Sequence, residues 1–216
     1  LKSAAWANKS EISIKWINAE TAGEADFASV DAIVVPGGFG TRGVEGKIKA
    51  AEYCIKNNKP YLGICLGLQA AVVAAARLGG VANANSEEFG ADPGANVVYI
   101  MDGQQGKQST GGTMRLGDYP AVLKSGSLAA KIYGKTEVIE RHRHRYEVNQ
   151  DFVQAIERGG LVVSGTSPDS QLVEFVEAPH HQYFVATQAH PEFKSRPFRP
   201  HPLFDGLIRV ILAGDS

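Results

Sequence analysis

The stretch Tyr61-Leu62-Gly63-Ile64-Cys65-Leu66-Gly67-Leu68-Gln69 constrains this chain more than any other. A short apolar run ends in a cysteine flanked by two glycines. A helical pattern starts at once, with Leu66, Gln69, Val73, Ala76 and Arg77 at three- and four-residue spacings. That reads as strand, sharp turn, helix, the cysteine form of the G-x-S-x-G nucleophile elbow. A nucleophile at the apex of such a turn sits on strained backbone, so its neighbours must be small for strand and helix to approach. The thiol is expected to point out of the sheet, at the positive end of the following helix, which favours thiolate and lowers the cysteine pKa. The alternative is a small cysteine buried at a core junction. The flanking glycines and the strand–helix context weigh against it. The motif points to a nucleophilic cysteine on an α/β fold and does not by itself name a reaction.

The chain around the elbow alternates strand and helix. Ile12, Ile14 and Trp16 alternate with Ser13 and Lys15, which predicts a half-buried strand. Asp31 to Val35 is a short apolar run feeding Pro36-Gly37-Gly38-Phe39-Gly40, a glycine-rich loop at a strand's carboxyl end, where ligands sit in open α/β sheets. A helix is predicted from about Val44 to Asn57. The expected fold is therefore α/β, an open, mostly parallel wound sheet with flanking helices. Residues 81–120 read differently, rich in Gly, Asn, Asp and Gln, with a short strand at Val97–Ile100. Residues 102–113 read as a mobile loop, and Gly111 to Gly117 as a glycine-hinged segment or a plain surface hairpin. Val138 to Val148 predicts a strand with Arg141, Arg143 and Arg145 on one face and His142 and His144 on the other. Strands at 161–165, 172–177 and 183–189 and a closing helix from His201 to Leu212 complete the chain.

Composition excludes more than it selects. With 216 residues the chain is one good-sized domain that can bury a core without staples. The 22 basic and 23 acidic residues leave a net charge of −1, so nothing suggests bulk nucleic-acid binding. Cys54 and Cys65 make no disulfide framework, which fits a reducing, cytoplasmic setting. No apolar run has membrane-spanning length, and no metal-ligand pattern is identified. The chain opens on Leu1 without an initiator Met, and a fragment is expected.

A cysteine nucleophile needs a base, and the base needs an orienter. Of six histidines, His142 and His144 lie among arginines, which disfavour an imidazolium. His180, His181 and His201 lie in loop-like sequence. His190 ends a buried-looking strand, and Glu192 follows across Pro191. The two-residue spacing places both side chains on one side of an extended chain. Cys65, His190 and Glu192 are the expected triad. The oxyanion that develops in acyl transfer needs N–H donors. Leu66, following the nucleophile, supplies one, and the Pro36–Gly40 loop is the natural source of the second. That loop lacks a G-x-G-x-x-G run or a Lys-Ser/Thr follow-up, which argues against nucleotide binding there.

The segments G-I-C-L-G-L-Q, V-P-G-G-F-G and H-P-E together resemble a class I (triad) glutamine amidotransferase domain. G-G-T-M-R-L-G (111–117), E-R-H-R-H-R-Y-E-V-N (140–149), A-N-S-E-E-F (84–89) and H-P-E-F-K-S-R-P (190–197) narrow the resemblance to the C-terminal glutaminase domain of the CTP synthase family. It covers the chain from about Ile12 to Leu212. The resemblance implies that Cys65 attacks the side-chain amide of L-glutamine, that His190 protonates the leaving ammonia, and that water clears the thioester. It places Gly38 and Leu66 at the oxyanion hole and Gly38, Leu66, Gln69, Glu88 and Arg145 at the glutamine. Thr113 and Arg115 fall in the segment that, in this family, couples GTP binding to glutamine hydrolysis. No cofactor is implied for this domain itself. ATP, Mg2+, UTP and allosteric GTP belong to the full-length enzyme, a tetramer built mainly through an N-terminal amidoligase (synthetase) domain. No counterpart of that domain is identified in this sequence, and the start of the glutaminase domain is expected to be truncated. The isolated domain is expected to be monomeric, in the cytoplasm, with no nucleic-acid or membrane partner.

Three alternatives stand beside this expectation. The glutaminase of another biosynthetic amidotransferase and a γ-glutamyl hydrolase share elbow and triad, but are not expected to carry both R-H-R-H-R-Y-E-V-N and G-G-T-M-R-L-G. A non-catalytic regulatory or interaction domain would more readily have lost one of Cys65, His190 and Glu192.

Overall fold

The structure, a computed structural model, describes residues 1–90, 95–100 and 114–214. Its strands in chain order are β1 (Ile33–Val35), β2 (Tyr61–Ile64), β3 (Asn85–Ser86), β4 (Asn96–Ile100), β5 (Arg115–Leu123), β6 (Glu137–His144), β7 (Tyr146–Val148), β8 (Val162–Thr166), β9 (Val173–Glu177) and β10 (Phe184–Thr187). Its helices are α1 (Lys2–Ala7), α2 (Glu24–Ala28), α3 (Val44–Asn57), α4 (Leu66–Leu78), α5 (Leu128–Tyr133), α6 (Val153–Arg158) and α7 (Pro202–Gly214).

Among the described residues the main sheet has seven strands in the order β1-β2-β10-β9-β8-β5-β6. The wound parallel part is β1, β2 and β10, and β9, β8, β5 and β6 extend it antiparallel. The sheet is therefore mixed. The alternation of side chains along its central strands divides the core in two. Tyr61, Phe184 and Ala186 face one layer with α3, α4 and α6, while Leu62, Ile64 and Val185 face the other with α1, α5 and α7. With helices on both faces, β2 is buried at every position, which is why it reads as an unbroken apolar run. A second sheet, β3-β4-β7, stands beside the first.

Several expectations change. Residues 12–16 form no strand: Ile14 and Trp16 are exposed, Trp16 at 89%. Alternation marks a chain able to be a strand, but among the described residues no partner strand pairs with this one. The strand expected over 138–148 breaks at Arg145, where the chain leaves the main sheet and enters β7 of the second. Within β6 its predicted faces hold, with Arg141 and Arg143 outward and both histidines buried, while Arg145 leaves the strand and is half-buried. The segment from Gly111 lies partly in a long strand, β5, paired along its length with β6. The loop expected over 102–113, including Thr113, lies outside the described residues.

Candidate active site

The elbow is built as its residues require. Cys65 sits between β2 and α4 with φ 52° and ψ −103°, a conformation disfavoured for any residue with a Cβ. The turn closes because its neighbours have no side chains. A Cβ on Gly63 would lie 2.8 Å from both the Gly67 backbone and Ala186, and one on Gly67 would collide with the Val35 carbonyl oxygen.

His190 and Cys65 converge on the glycine-rich loop. A Cβ on Gly37 would lie 2.7 Å from His190 Cε1 and 3.5 Å from Cys65 Cβ. The imidazole can occupy its place only because residue 37 is glycine. His190 is held by its backbone N–H, which donates to the Arg141 carbonyl of β6 at 2.7 Å. Its Nδ1 lies 2.6 Å from Glu192 Oε1. Since the carboxylate only accepts, Nδ1 carries the proton and Nε2 presents a lone pair, which has no protein partner among the described residues. Glu192 achieves this from a 3-10 turn, Pro191–Phe193, rather than from the extended chain that its spacing suggests.

The thiol differs from expectation. Cys65 is 2% exposed, and burial pushes its pKa up to about 12, with the carboxylates of Glu192, Glu88 and Glu147 adding to the rise. The Leu66 backbone N–H, at the start of α4, pulls the other way and is outweighed. The helix end helps the thiolate, as expected, but desolvation sets the resting state, which is the neutral thiol.

Beside this group lies a cavity of about 420 Å³ lined by Phe39, Glu88, Met114, Arg143, Arg145 and Tyr146. Glu88 enters it from a 3-10 turn (Glu87–Phe89), and its Oε1 accepts from the Gly40 N–H at 2.8 Å. Burial raises the Glu88 pKa, while that hydrogen bond and the charges of Arg145 and Lys47 lower it. Arg145 Nε is buried without a hydrogen-bond partner. One wall thus carries a carboxylate and another a guanidinium with an unfilled donor. Gly38 lies against Leu66: a Cβ there would be 3.3 Å from Leu66 Cδ2 and 3.7 Å from Lys47 Nζ.

Each residue expected at the site, apart from Thr113, can now be placed. Cys65, His190, Glu192, Gly38 and Leu66 surround the elbow, and Glu88 and Arg145 face the cavity. Gln69 is buried at 3%, with its amide nitrogen near the Tyr146 carbonyl and Gln188. Arg115 points away from solvent, 2.6 Å from Glu174 and 3.6 Å from Glu147, with its guanidinium over the Tyr119 ring. Arg143, which was not among the expected site residues, lines the cavity. Lys47 and Gln188 were not expected at all. Neither lies in a motif, and only the packing of α3 and β10 against the elbow brings them in. Among the described residues, no group of three or more His, Cys, Asp or Glu side chains could hold a metal ion, and no helix is long and apolar enough to cross a membrane.

The model of the family "Glutamine amidotransferase class-I" matches residues 1–210. CTP synthase of Methanocaldococcus jannaschii is 50% identical over 95% of this chain, and that of Corynebacterium jeikeium 54% over 92%. The chain spans about 40% of the length of these curated relatives. Among solved structures, the glutaminase domain of the Trypanosoma brucei CTP synthase with bound acivicin superposes with a TM-score of 0.90 at 37% identity, covering 98% of this chain and 85% of that one.

Proposed function

The chain belongs to the class I glutamine amidotransferase family, as a glutaminase domain of the CTP synthase kind, and from that premise we propose that it hydrolyses L-glutamine through a Cys65 thioester. The observation that carries the site assignment is the convergence of Cys65 and a Glu192-oriented His190 on Gly37, beside a cavity holding both a carboxylate and a guanidinium whose Nε has no hydrogen-bond partner among the described residues. Free glutamine is a zwitterion. Glu88 receives its α-ammonium and Arg145 its α-carboxylate, which leaves the side-chain amide to reach the elbow.

The steps follow from the chemistry of these groups. His190 Nε2 takes the thiol proton, and the sulfur adds to the amide carbon. The oxyanion is received by the N–H groups of Gly38 and Leu66. The imidazolium then gives its proton to the departing nitrogen, and ammonia leaves. Water, deprotonated by the same Nε2, adds to the thioester carbon. Collapse breaks the C–S bond, and the proton returns to sulfur as glutamate departs. Glu192 keeps the imidazole in the required tautomer throughout and stabilises its charged form.

In the longer protein the ammonia serves the ATP- and Mg2+-dependent amination of UTP to CTP on a synthetase domain, within a cytoplasmic tetramer whose glutaminase responds to GTP. Thr113 and Arg115 are the candidates for that response. Incubation with 6-diazo-5-oxo-norleucine tests the site. The expected result is one adduct, on Cys65, blocked by excess glutamine and absent in Cys65→Ala. Labelling elsewhere, or labelling that glutamine does not protect, overturns the assignment.

A further inference from the structure

Besides His190, three polar groups among the described residues reach the sulfur of Cys65, and they act on its proton in opposite senses. The Leu66 N–H donates and favours thiolate. The Arg143 carbonyl, 3.9 Å away, can only accept and favours S–H. The third is the side-chain amide of Gln188, 3.7 Å from Sγ and fully buried. Its effect depends on which end of the amide faces the sulfur, and neighbouring groups decide that.

The orientation propagates from a backbone atom. The Tyr146 carbonyl only accepts, so the Gln69 amide atom 3.3 Å from it is the nitrogen. That nitrogen lies 3.4 Å from the Gln188 amide, whose atom there must be the oxygen. The other end of Gln188, its NH2 group, therefore faces Cys65. The Tyr146 carbonyl is itself fixed, since His144 Nδ1 lies 3.2 Å from it and His144 Nε2 is joined to His142 Nδ1 at 2.9 Å. The Gln188 backbone is pinned as well, its N–H donating to the Glu174 carbonyl at 2.9 Å. A buried amide held at both backbone and side chain cannot turn over to present its oxygen.

We propose that Gln188 is a further catalytic residue: its carboxamide N–H donates to the Cys65 sulfur and stabilises the thiolate that forms when His190 takes the proton. Gln69 is the positioning residue that sets its direction. The step moves one proton from sulfur to His190 Nε2, and the Gln188 N–H and the Leu66 N–H share the charge left on sulfur. Burial opposes that charge strongly, so each donor counts. The inference rests on the reading of Cys65 as nucleophile.

The test is the rate of Cys65 alkylation by iodoacetamide as a function of pH, read by peptide mass spectrometry, with buried Cys54 as internal reference. Iodoacetamide needs no glutamine site, so failure of the glutamine reading would show separately, as absent diazo-oxo-norleucine labelling of the unmodified protein. Gln188→Met keeps the volume and removes the donor. It is expected to slow alkylation about tenfold at each pH where the protein stays folded, the effect of losing one hydrogen bond to a charged group. Gln69→Leu frees the Gln188 amide and is expected to slow alkylation the same way by less. Unchanged rates in the folded variants overturn the proposal. If Gln188→Met does not fold, Gln69→Leu decides alone, a wild-type rate being the overturning result.

Discussion

Two clusters of histidine and carboxylate meet at β6, and only one is built for acid–base chemistry. His190 hangs from the strand by a backbone hydrogen bond to Arg141 and pairs with Glu192, whose side chain is 41% exposed. His142 and His144 are side chains of the strand itself and lie with Glu147, Glu174 and Arg115, all nearly sealed from solvent. Burial drives the His142 and His144 pKa values down to about 2 and about 3, and the Arg115 charge adds to the fall. It raises Glu174 and brings Glu147 up to about 8. The same residue types give a neutral, structural network where water is excluded and a proton-carrying pair where the carboxylate keeps part of its hydration. Histidine–carboxylate pairing is not the signature of a base. A half-solvated carboxylate and a ring nitrogen left without a protein partner, beside a nucleophile, are.

The largest expected effects test each cluster on its own ground. His190→Ala should lower glutamine hydrolysis about 10³-fold, the usual range for a lost acid–base group, while leaving the unfolding midpoint nearly unchanged. A hydrolysis rate within threefold of wild type would remove the distinction between the clusters. Arg115→Leu should do the reverse, with its main effect on folding. It takes the guanidinium from the buried Glu174, 2.6 Å away, and breaking a buried pair costs about 3 kcal/mol. Urea unfolding at neutral pH reads that loss, and an unshifted midpoint would mean that the guanidinium is not the charge around which the network is arranged.

How legible each cluster was follows from the range of the interactions that make it. The elbow is local. Apolar run, glycine spacing and helical period all lie within a dozen residues, so β2, Cys65 and α4 could be read directly, and the same holds for α3 from Val44 to Asn57. His190 and Glu192 are close in sequence, so their pairing was legible even though the turn that makes it is 3-10 rather than extended. The buried network draws on β5, β6, β7 and β9, and no spacing announces it. Its histidines were judged unfit as bases because arginines flank them. The outcome stands, but the leading cause is burial, and Arg141 and Arg143 point the other way. The strand β5 was missed because Gly117 and Pro120 argue against a strand, yet pairing with β6 runs through both. The state of Cys65 was misjudged for a related reason. The helix end is visible in sequence, while the desolvation that outweighs it is not.

A smaller effect probes how tightly the catalytic cluster is packed. In Gly37→Ala the new methyl carbon would stand 2.7 Å from His190 Cε1, so the imidazole must shift. A displacement near 1 Å costs about 100-fold in rate. Thermal stability should change little, because the loop lies at the strand's end and the ring can move toward partly open Glu192. A wild-type rate would show that the imidazole takes its catalytic position elsewhere.

The gentlest substitution, Glu147→Gln, separates the clusters by pH alone. In the unfolded chain this carboxyl ionises near its ordinary 4.5, and in the fold it holds its proton to about 8. Between those values the native state binds more protons than the unfolded state. Stability therefore falls as pH rises through this window, by at most about 1.4 kcal/mol per pH unit for one proton. Below the window both states are protonated and the cost vanishes; above it both are ionised and the cost is complete. Glutamine keeps the shape and cannot titrate. Its unfolding free energy should be flatter across the window and exceed that of the wild type at the alkaline end. The glutaminase rate at neutral pH should stay within about twofold, since the amide imitates the acid already present there. A variant with the wild-type slope would place the proton elsewhere in the network, on Glu174, the other carboxyl that burial raises. A variant that lost activity at neutral pH would bring the buried cluster into the chemistry and end its standing as structure alone.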